Sequence, residues 1–420
     1  MKRWLASVVS SMAALSLVAC AGAADPSDEQ ADEDALTSKD AQIVDLVFRG
    51  EVLAGKSDDA KKAIVTQLFY TVGPLTLREA NSQVGRVALT DVVEHVEGTK
   101  KRISYTARLP VAWRKTARVA ATQDIVLPRD LTRIAAFNAK YEGTCGTLEE
   151  GLLAESFWYN FDPSAYGCKL ADAEVVRIKA DVVPDTAVTK GKYPEYELAW
   201  SDGALDVVSV FNSHDGSGRR EEVQKYVDGA KRALHGGTIK ENPTTESLLR
   251  DITITGTVKV AGVERAVTIT ALEIDSLYES GPDFERRYGP LSERADLVTY
   301  VGHSVLGKNT RALSQMSRAK AGKYQLFVFN SCDSFAYADT TLTERHAAAN
   351  GASDPKGTKY LDVMTNVLPS YVVNESSSLL LVLRAMLRRD TPATYDRILG
   401  GLPSDQMVVV WGEDDNAFHP

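Results

Sequence analysis

Histidine and cysteine are scarce in this 420-residue chain, at six and four. No pair of them has the short spacing of a tetrahedral metal site, so neither a metal nor another cofactor is expected. Blocks of Lys and Arg with interleaved aromatics are missing too, and the net charge of −9 opposes a nucleic-acid face. No apolar run is long enough to span a membrane: Leu5 to Val18 is too short, and Ser376 to Arg389, with Leu379 to Leu383 at its centre, carries arginines that suit a buried helix. What remains is ordinary for a globular chain, with 44% hydrophobic and 25% charged residues. The length predicts two domains once a leader is set aside.

The leader comes first. Lys2 and Arg3 precede the apolar stretch, and small residues follow it, as in a secretory signal. Leu17-Val-Ala-Cys20 resembles a bacterial lipobox, which implies a signal peptide over residues 1–19, cleavage before Cys20 and lipidation of its thiol. The mature chain would then be anchored to a membrane rather than span it. Ala21 in place of Asp resembles the pattern sent to the outer membrane, so the expected location is the bacterial cell envelope. An ordinary secretory signal with a chance cysteine is the alternative. Residues 20–39 form an acidic tether, since Asp25, Asp28, Glu29, Asp32, Glu33 and Asp34 come with no large apolar side chain to build a core. A calcium loop would need glycine and ligand spacings that are missing there.

With Cys20 set aside, three cysteines remain. Cys145 and Cys168 flank glycine-rich and aromatic sequence and are expected to pair in an oxidising compartment, leaving Cys332 as a free thiol. The alternatives are that the pair stays reduced or that either member bonds to Cys332. Residues 40–183 read as an α+β domain, with a helix over Asp59–Leu68, strands over Val87–Val96 and Arg102–Leu109, and a helix over Leu131–Asn138. Phe157-Trp-Tyr-Asn-Phe161 suits a core plug beneath the disulfide better than a ligand platform. Tyr193 to Tyr196, with Pro194 inside, suits a linker or surface loop.

Residues 204–420 read as a second, α/β domain. Leu205–Phe211 is a strand, and Gly218–Leu234 a helix with Val223, Tyr226, Val227 and Ala230 at helical spacing and Gly236-Gly237 as its stop. Ile252–Val260 and Arg265–Ile274 alternate around Ala261-Gly262 as a hairpin. Leu297–Val301 and Leu326–Phe329 are short, nearly continuous apolar runs, as in strands buried on both faces of a parallel sheet, with Asn309–Ala321 as the helix between them. Tyr360–Val367 and Met407–Trp411 add strands, for about six in the sheet.

Two of these strands end in reactive side chains: Tyr300-Val-Gly-His303-Ser304 and Phe329-Asn-Ser-Cys332-Asp333-Ser334. In open α/β sheets the site lies beyond the carboxyl ends of the strands, so neighbouring strands would set an imidazole beside a thiol. A cysteine with a pKa of about 8.5 needs such a base to attack at neutral pH. The bland alternative is a packed thiol and a satisfied histidine.

An apolar strand ending in His, then a helix and an apolar strand ending in Cys, resembles the clan CD cysteine peptidases, which include caspases, legumains, clostripain and gingipains. The resemblance covers about residues 204–420. It implies a caspase-haemoglobinase-like, mostly parallel sheet with flanking helices, His303 as general acid/base, Cys332 as nucleophile and a peptide or protein substrate. Two positions depart from the family. Gly302 precedes the histidine and Ser304 follows it, where the family has glycine after His to help bind the oxyanion. Asp333 follows the cysteine, where a carboxylate raises the thiol pKa. These departures motivate a second reading, a catalytically silent caspase-like scaffold lipoprotein. A third takes Gly302-His-Ser304-Val-Leu-Gly307 as a serine-hydrolase elbow whose second glycine falls one residue late. His214 and Asp215, after the first strand of this domain, are candidates for a substrate loop, and Asp333, Glu413 or Asp414 for selection of a basic substrate residue.

Overall fold

Alternating Leu46, Phe48, Val52 and Ala54 bury one face of a 15-residue strand, β1 (Ala41–Gly55), in the computed structural model, which describes residues 40–148, 154–184, 191–213, 219–245, 247–370, 375–403, 406–412 and 418–420. β1 is the centre of an antiparallel sheet with β2 (Ala80–Ser82), β3 (Ala88–Glu97), β4 (Lys100–Arg114), β5 (Thr122–Pro128) and β6 (Val175–Pro184), in the order β2-β4-β1-β6-β5 with β3 also on β4. Its buried face packs on the helix Ala60–Leu68, capped by the Asp59 carboxylate on the Lys62 N–H, and on the turns that follow. The aromatic plug is real at its two ends, since Phe157 and Phe161 are fully buried beneath the Cys145–Cys168 disulfide.

The second sheet holds eight strands rather than six: β7 (Ala204–Asn212), β8 (His235–Glu241), β9 (Leu248–Val260), β10 (Val263–Ile274), β11 (Leu297–Val301), β12 (Gln325–Asn330), β13 (Leu361–Asn366) and β14 (Val408–Trp411). Their order is β14-β13-β12-β11-β7-β10-β9-β8. The five strands from β13 to β10 run parallel, and antiparallel partners close both edges. The fold is therefore mixed α/β with one antiparallel and one mixed sheet.

Helices cover both faces of the mixed sheet. Arg219–Arg232, Glu375–Met386 and Tyr395–Gly400 pack on the face that carries Val207, Phe211, Ile269 and Leu326. Gly281–Arg294 and Lys308–Met316 cover the face that carries Val208, Val210, Val298 and Phe327. This two-sided burial is why β7, β11 and β12 read as continuous apolar runs.

Three local expectations need correction. Gly236-Gly237 lies inside β8 rather than past a helix end, and β8 pairs with β9 across a register shift at those residues. The helix after β11 stops at Met316, because Ser317 is extended and its hydroxyl is spent on the Leu313 carbonyl. Tyr193–Tyr196 is not a surface loop: Tyr196 is fully buried and packs on Phe418, and its hydroxyl donates to the Ala393 carbonyl.

The described residues pack as one compact unit. Ala41 and Ala112 of the first sheet meet Val409 of the second, together with Phe335 and Val367 at its carboxyl edge, and the Arg86 guanidinium lies 4.5 Å from the Trp411 ring centre. Gly85 approaches the Ala338 backbone so closely that a Cβ there would lie 2.6 Å from its carbonyl oxygen. The first sheet is thus seated against the segment that follows Cys332.

A candidate thiol site at the carboxyl edge of the mixed sheet

Register decides where the two reactive side chains stand. Val301 of β11 is paired with Asn330 of β12, so His303 and Cys332, each two residues further on, leave neighbouring parallel strands at the same level. Adjacent strands lie about 5 Å apart. The helix after β7 covers one face of the sheet and the helix after β11 covers the other. The connections therefore diverge between β7 and β11, the switch point at which open α/β sheets leave a crevice.

The His303 loop is tightly specified. Gly302 has φ +147°, and a Cβ there would lie 2.6 Å from the Asn212 Cβ, so glycine lets the end of β11 tuck against the end of β7. The His303 carbonyl accepts from the Tyr300 hydroxyl and the Asn309 Nδ2, both at 2.7 Å. Val305, Leu306 and Gly307 follow with φ of +46°, +51° and +86°. A left-handed β-branched residue costs on the order of 1–3 kcal/mol and persists where its surroundings over-determine it. The imidazole itself is exposed.

Ser304 is buried, and its hydroxyl donates to the Cys332 carbonyl. That bond ties the histidine loop to the cysteine loop. The serine proton is thereby directed to a carbonyl, as the Cys332 thiol proton is to that of Ser370.

Cys332 is half-buried and is the free cysteine among the described residues, Cys145 and Cys168 being bonded to each other. Its Sγ donates to the Ser370 carbonyl at 3.7 Å and accepts from the Ser370 N–H at 3.4 Å. Burial pushes the thiol pKa up; the Asp333 and Glu375 carboxylates push the same way, and the Ser370 N–H opposes them. Asp333 is fully buried with φ +53°. Burial raises its carboxyl to about 6, against hydrogen bonds from the Tyr159 hydroxyl and the Asn81 amide, each at 3.0 Å. Beside the thiol, Asn330 Oδ1 accepts from Asn366 Nδ2 at 2.8 Å and from the Ser370 hydroxyl at 2.9 Å. Asn330 Nδ2 and the Ser331 hydroxyl are buried with no hydrogen-bond partner among the described residues, a concentration of unspent donors at one strand end.

Of the sequence-predicted residues, the fold brings together Gly302, His303, Ser304, Cys332 and Asp333. His214 and Asp215, Glu413 and Asp414, and Cys20 lie outside the described residues. Sequence reasoning missed Asn330, Ser370, Asn81 and Tyr159. Asn330 and Ser370 follow the same strand-end logic as His303 and were within its reach. Tyr159 stood in the aromatic run taken as a plug, and Asn81, on a three-residue strand, carried no signal. No family model matches the chain and no curated protein matches it.

Proposed function

We propose that the protein is a cysteine peptidase of the caspase-like type, with Cys332 as nucleophile and His303 as general acid/base. The observation that carries this reading is the register of β11 on β12, which ends the two parallel strands level with each other, His303 and Cys332 each following two residues later beside the switch point. His303 takes the Sγ proton as the thiolate attacks the substrate carbonyl, and the carbon–sulfur bond forms. Collapse of the tetrahedral intermediate breaks the carbon–nitrogen bond, and His303 returns the proton to the leaving amine. Water then hydrolyses the thioester by the same proton transfers in reverse roles. The Ser370 N–H, already directed at Sγ, favours the thiolate.

The substrate class is a peptide or protein. The sequence of the leader supports attachment of the chain to the bacterial envelope, at the outer membrane, through a lipid on Cys20. No described helix is long and apolar enough to cross a membrane. Incorporation of labelled fatty acid that is lost in Cys20→Ala tests the anchor.

A second reading, a catalytically silent scaffold that binds a partner, is favoured by one observation: burial and two carboxylates hold the thiol in its protonated form. A panel of peptidyl chloromethyl ketones separates the two. The peptidase reading expects alkylation at Cys332, mapped by mass spectrometry, that for at least one peptide is at least tenfold faster than alkylation by chloroacetone, the same electrophile without a peptide, and falls to that level in His303→Ala. Equal rates for every reagent, unchanged by His303→Ala, would leave the scaffold.

A further inference from the structure

The loop that carries Cys332 is gripped from outside its own sheet. Asn81, on β2 of the antiparallel sheet, is fully buried, and its Nδ2 donates to both Asp333 Oδ1 and the Val367 carbonyl, each at 3.0 Å. Its own Oδ1 accepts from the Ser82 N–H at 2.9 Å, which fixes which way the amide faces. One side chain therefore holds the residue after Cys332 and the end of β13, three residues before Ser370, whose N–H meets Sγ. Tyr159, within the segment closed by the disulfide, donates to the other oxygen, Asp333 Oδ2, at 3.0 Å. Both oxygens of the carboxylate next to the thiol are thus capped by side chains from the part of the chain that precedes the mixed sheet. Asp333 holds a left-handed backbone there, a conformation that Asp tolerates better than most residues but that its surroundings must stabilise.

We propose that Asn81 and Tyr159 are positioning residues of the thiol site, which makes the N-terminal domain part of that site: together they fix the Asp333 carboxylate and the Ser370 N–H around Cys332 Sγ and so set the reactivity of the thiol. The role in peptide cleavage rests on the peptidase reading; the effect on the thiol does not. Mechanically, the two donors stabilise the ionised carboxylate, and an ionised carboxylate beside Cys332 disfavours the thiolate. Among the described residues, the ionisable groups around this cluster include Cys332, Asp333, Tyr159, Tyr337, Arg311 and Glu375, with His303 on the neighbouring strand end.

The experiment follows iodoacetamide alkylation of Cys332 in the full chain from pH 5 to 9.5, mapped by mass spectrometry, in wild type, Tyr159→Phe, Asn81→Ala and Asp333→Asn. Tyr159→Phe deletes one hydroxyl and keeps the ring. It is expected to move the acidic inflection of the profile upward in pH and to change the rate at pH 7 at least threefold. Asp333→Asn should abolish that inflection. Asn81→Ala, which also frees Val367, should exceed Tyr159→Phe; if it fails to fold, Tyr159→Phe alone decides. A Tyr159→Phe profile superimposable on wild type overturns the proposal. Peptide hydrolysis on the same samples keeps the two claims apart. Shifted alkylation in a chain that cleaves no peptide upholds the positioning role and removes the peptidase reading. Cleavage with unshifted alkylation removes the positioning role alone.

Discussion

Replacing both bonded cysteines, Cys145→Ala with Cys168→Ala, tests how the segment beside the thiol site is held together. The two are separated by 23 residues, so the disulfide closes a loop of that size in the unfolded chain. On the chain-entropy relation, the closure removes roughly 11 cal/mol/K from the unfolded ensemble, or ~3.4 kcal/mol at 25 °C. The folded loop has anchors of its own. Phe157 and Phe161 are fully buried, and the Asp162 N–H donates to the Cys145 carbonyl at 2.8 Å. The cost of the double substitution should therefore fall mainly on the unfolded state. The native near-ultraviolet spectrum of the aromatic run should survive while chemical denaturation shows a loss of about 3–4 kcal/mol, most of it loop entropy and a smaller part the cavity left by the buried Cys145 sulfur. A loss below about 1 kcal/mol would refute the loop-entropy reasoning. Loss of the native aromatic signal at room temperature would refute the claim that the plug holds without the covalent bond.

Gly302→Ala should lower stability by about 1–3 kcal/mol, measured by urea denaturation, because the added Cβ meets Asn212 in a backbone conformation that L side chains avoid; an unchanged midpoint would mean that the β7/β11 junction yields freely. Asp362 is buried, accepts from the Tyr324 and Tyr395 hydroxyls, and is raised by burial to about 7. Its folded pKa lies above the unfolded value of about 4, so its neutral form favours the fold below pH 4 and that contribution is lost as pH rises to 7, by up to a few kcal/mol. Thermal melts from pH 4 to 8 should show this decline and a shallower one in Asp362→Asn; parallel declines would assign it to other groups. Ser304→Ala should leave peptide cleavage within about tenfold of wild type while costing on the order of 1 kcal/mol of stability, since its hydroxyl bonds a carbonyl rather than a base. Loss of ester hydrolysis in Ser304→Ala, with Cys332→Ala unaffected, would restore the serine alternative.

The mixed sheet was legible in sequence where both faces of a strand are buried. β7, β11 and β12 announce themselves as apolar runs, and the helix after β7 as a spaced stripe with acidic and basic ends. Strands of the antiparallel sheet were harder. β1 alternates along Leu46, Phe48, Val52 and Ala54, but Gly50 interrupts the pattern under the Tyr105 ring, and the 15-residue strand was not recognised. β8 hid behind two glycines that normally end a helix. The thiol and imidazole were legible because strand ends follow from strand assignment. Their control was not, since Asn81 lies 252 positions from Asp333 and only the packing of one sheet on the other brings them together. Pairing of Cys145 with Cys168, seen in the structure, was expected from the cysteine count and the compartment proposed from the leader.

Hydrolysis of a mixed fluorogenic peptide library, under mild reducing conditions that keep Cys332 free, by wild type beside Cys332→Ala and His303→Ala tests the central claim most directly. The account predicts cleavage by the wild type that drops at least a hundredfold in each variant while both remain folded. Cleavage that survives either substitution, or a wild type that cleaves nothing with or without calcium and limited proteolysis, would contradict it.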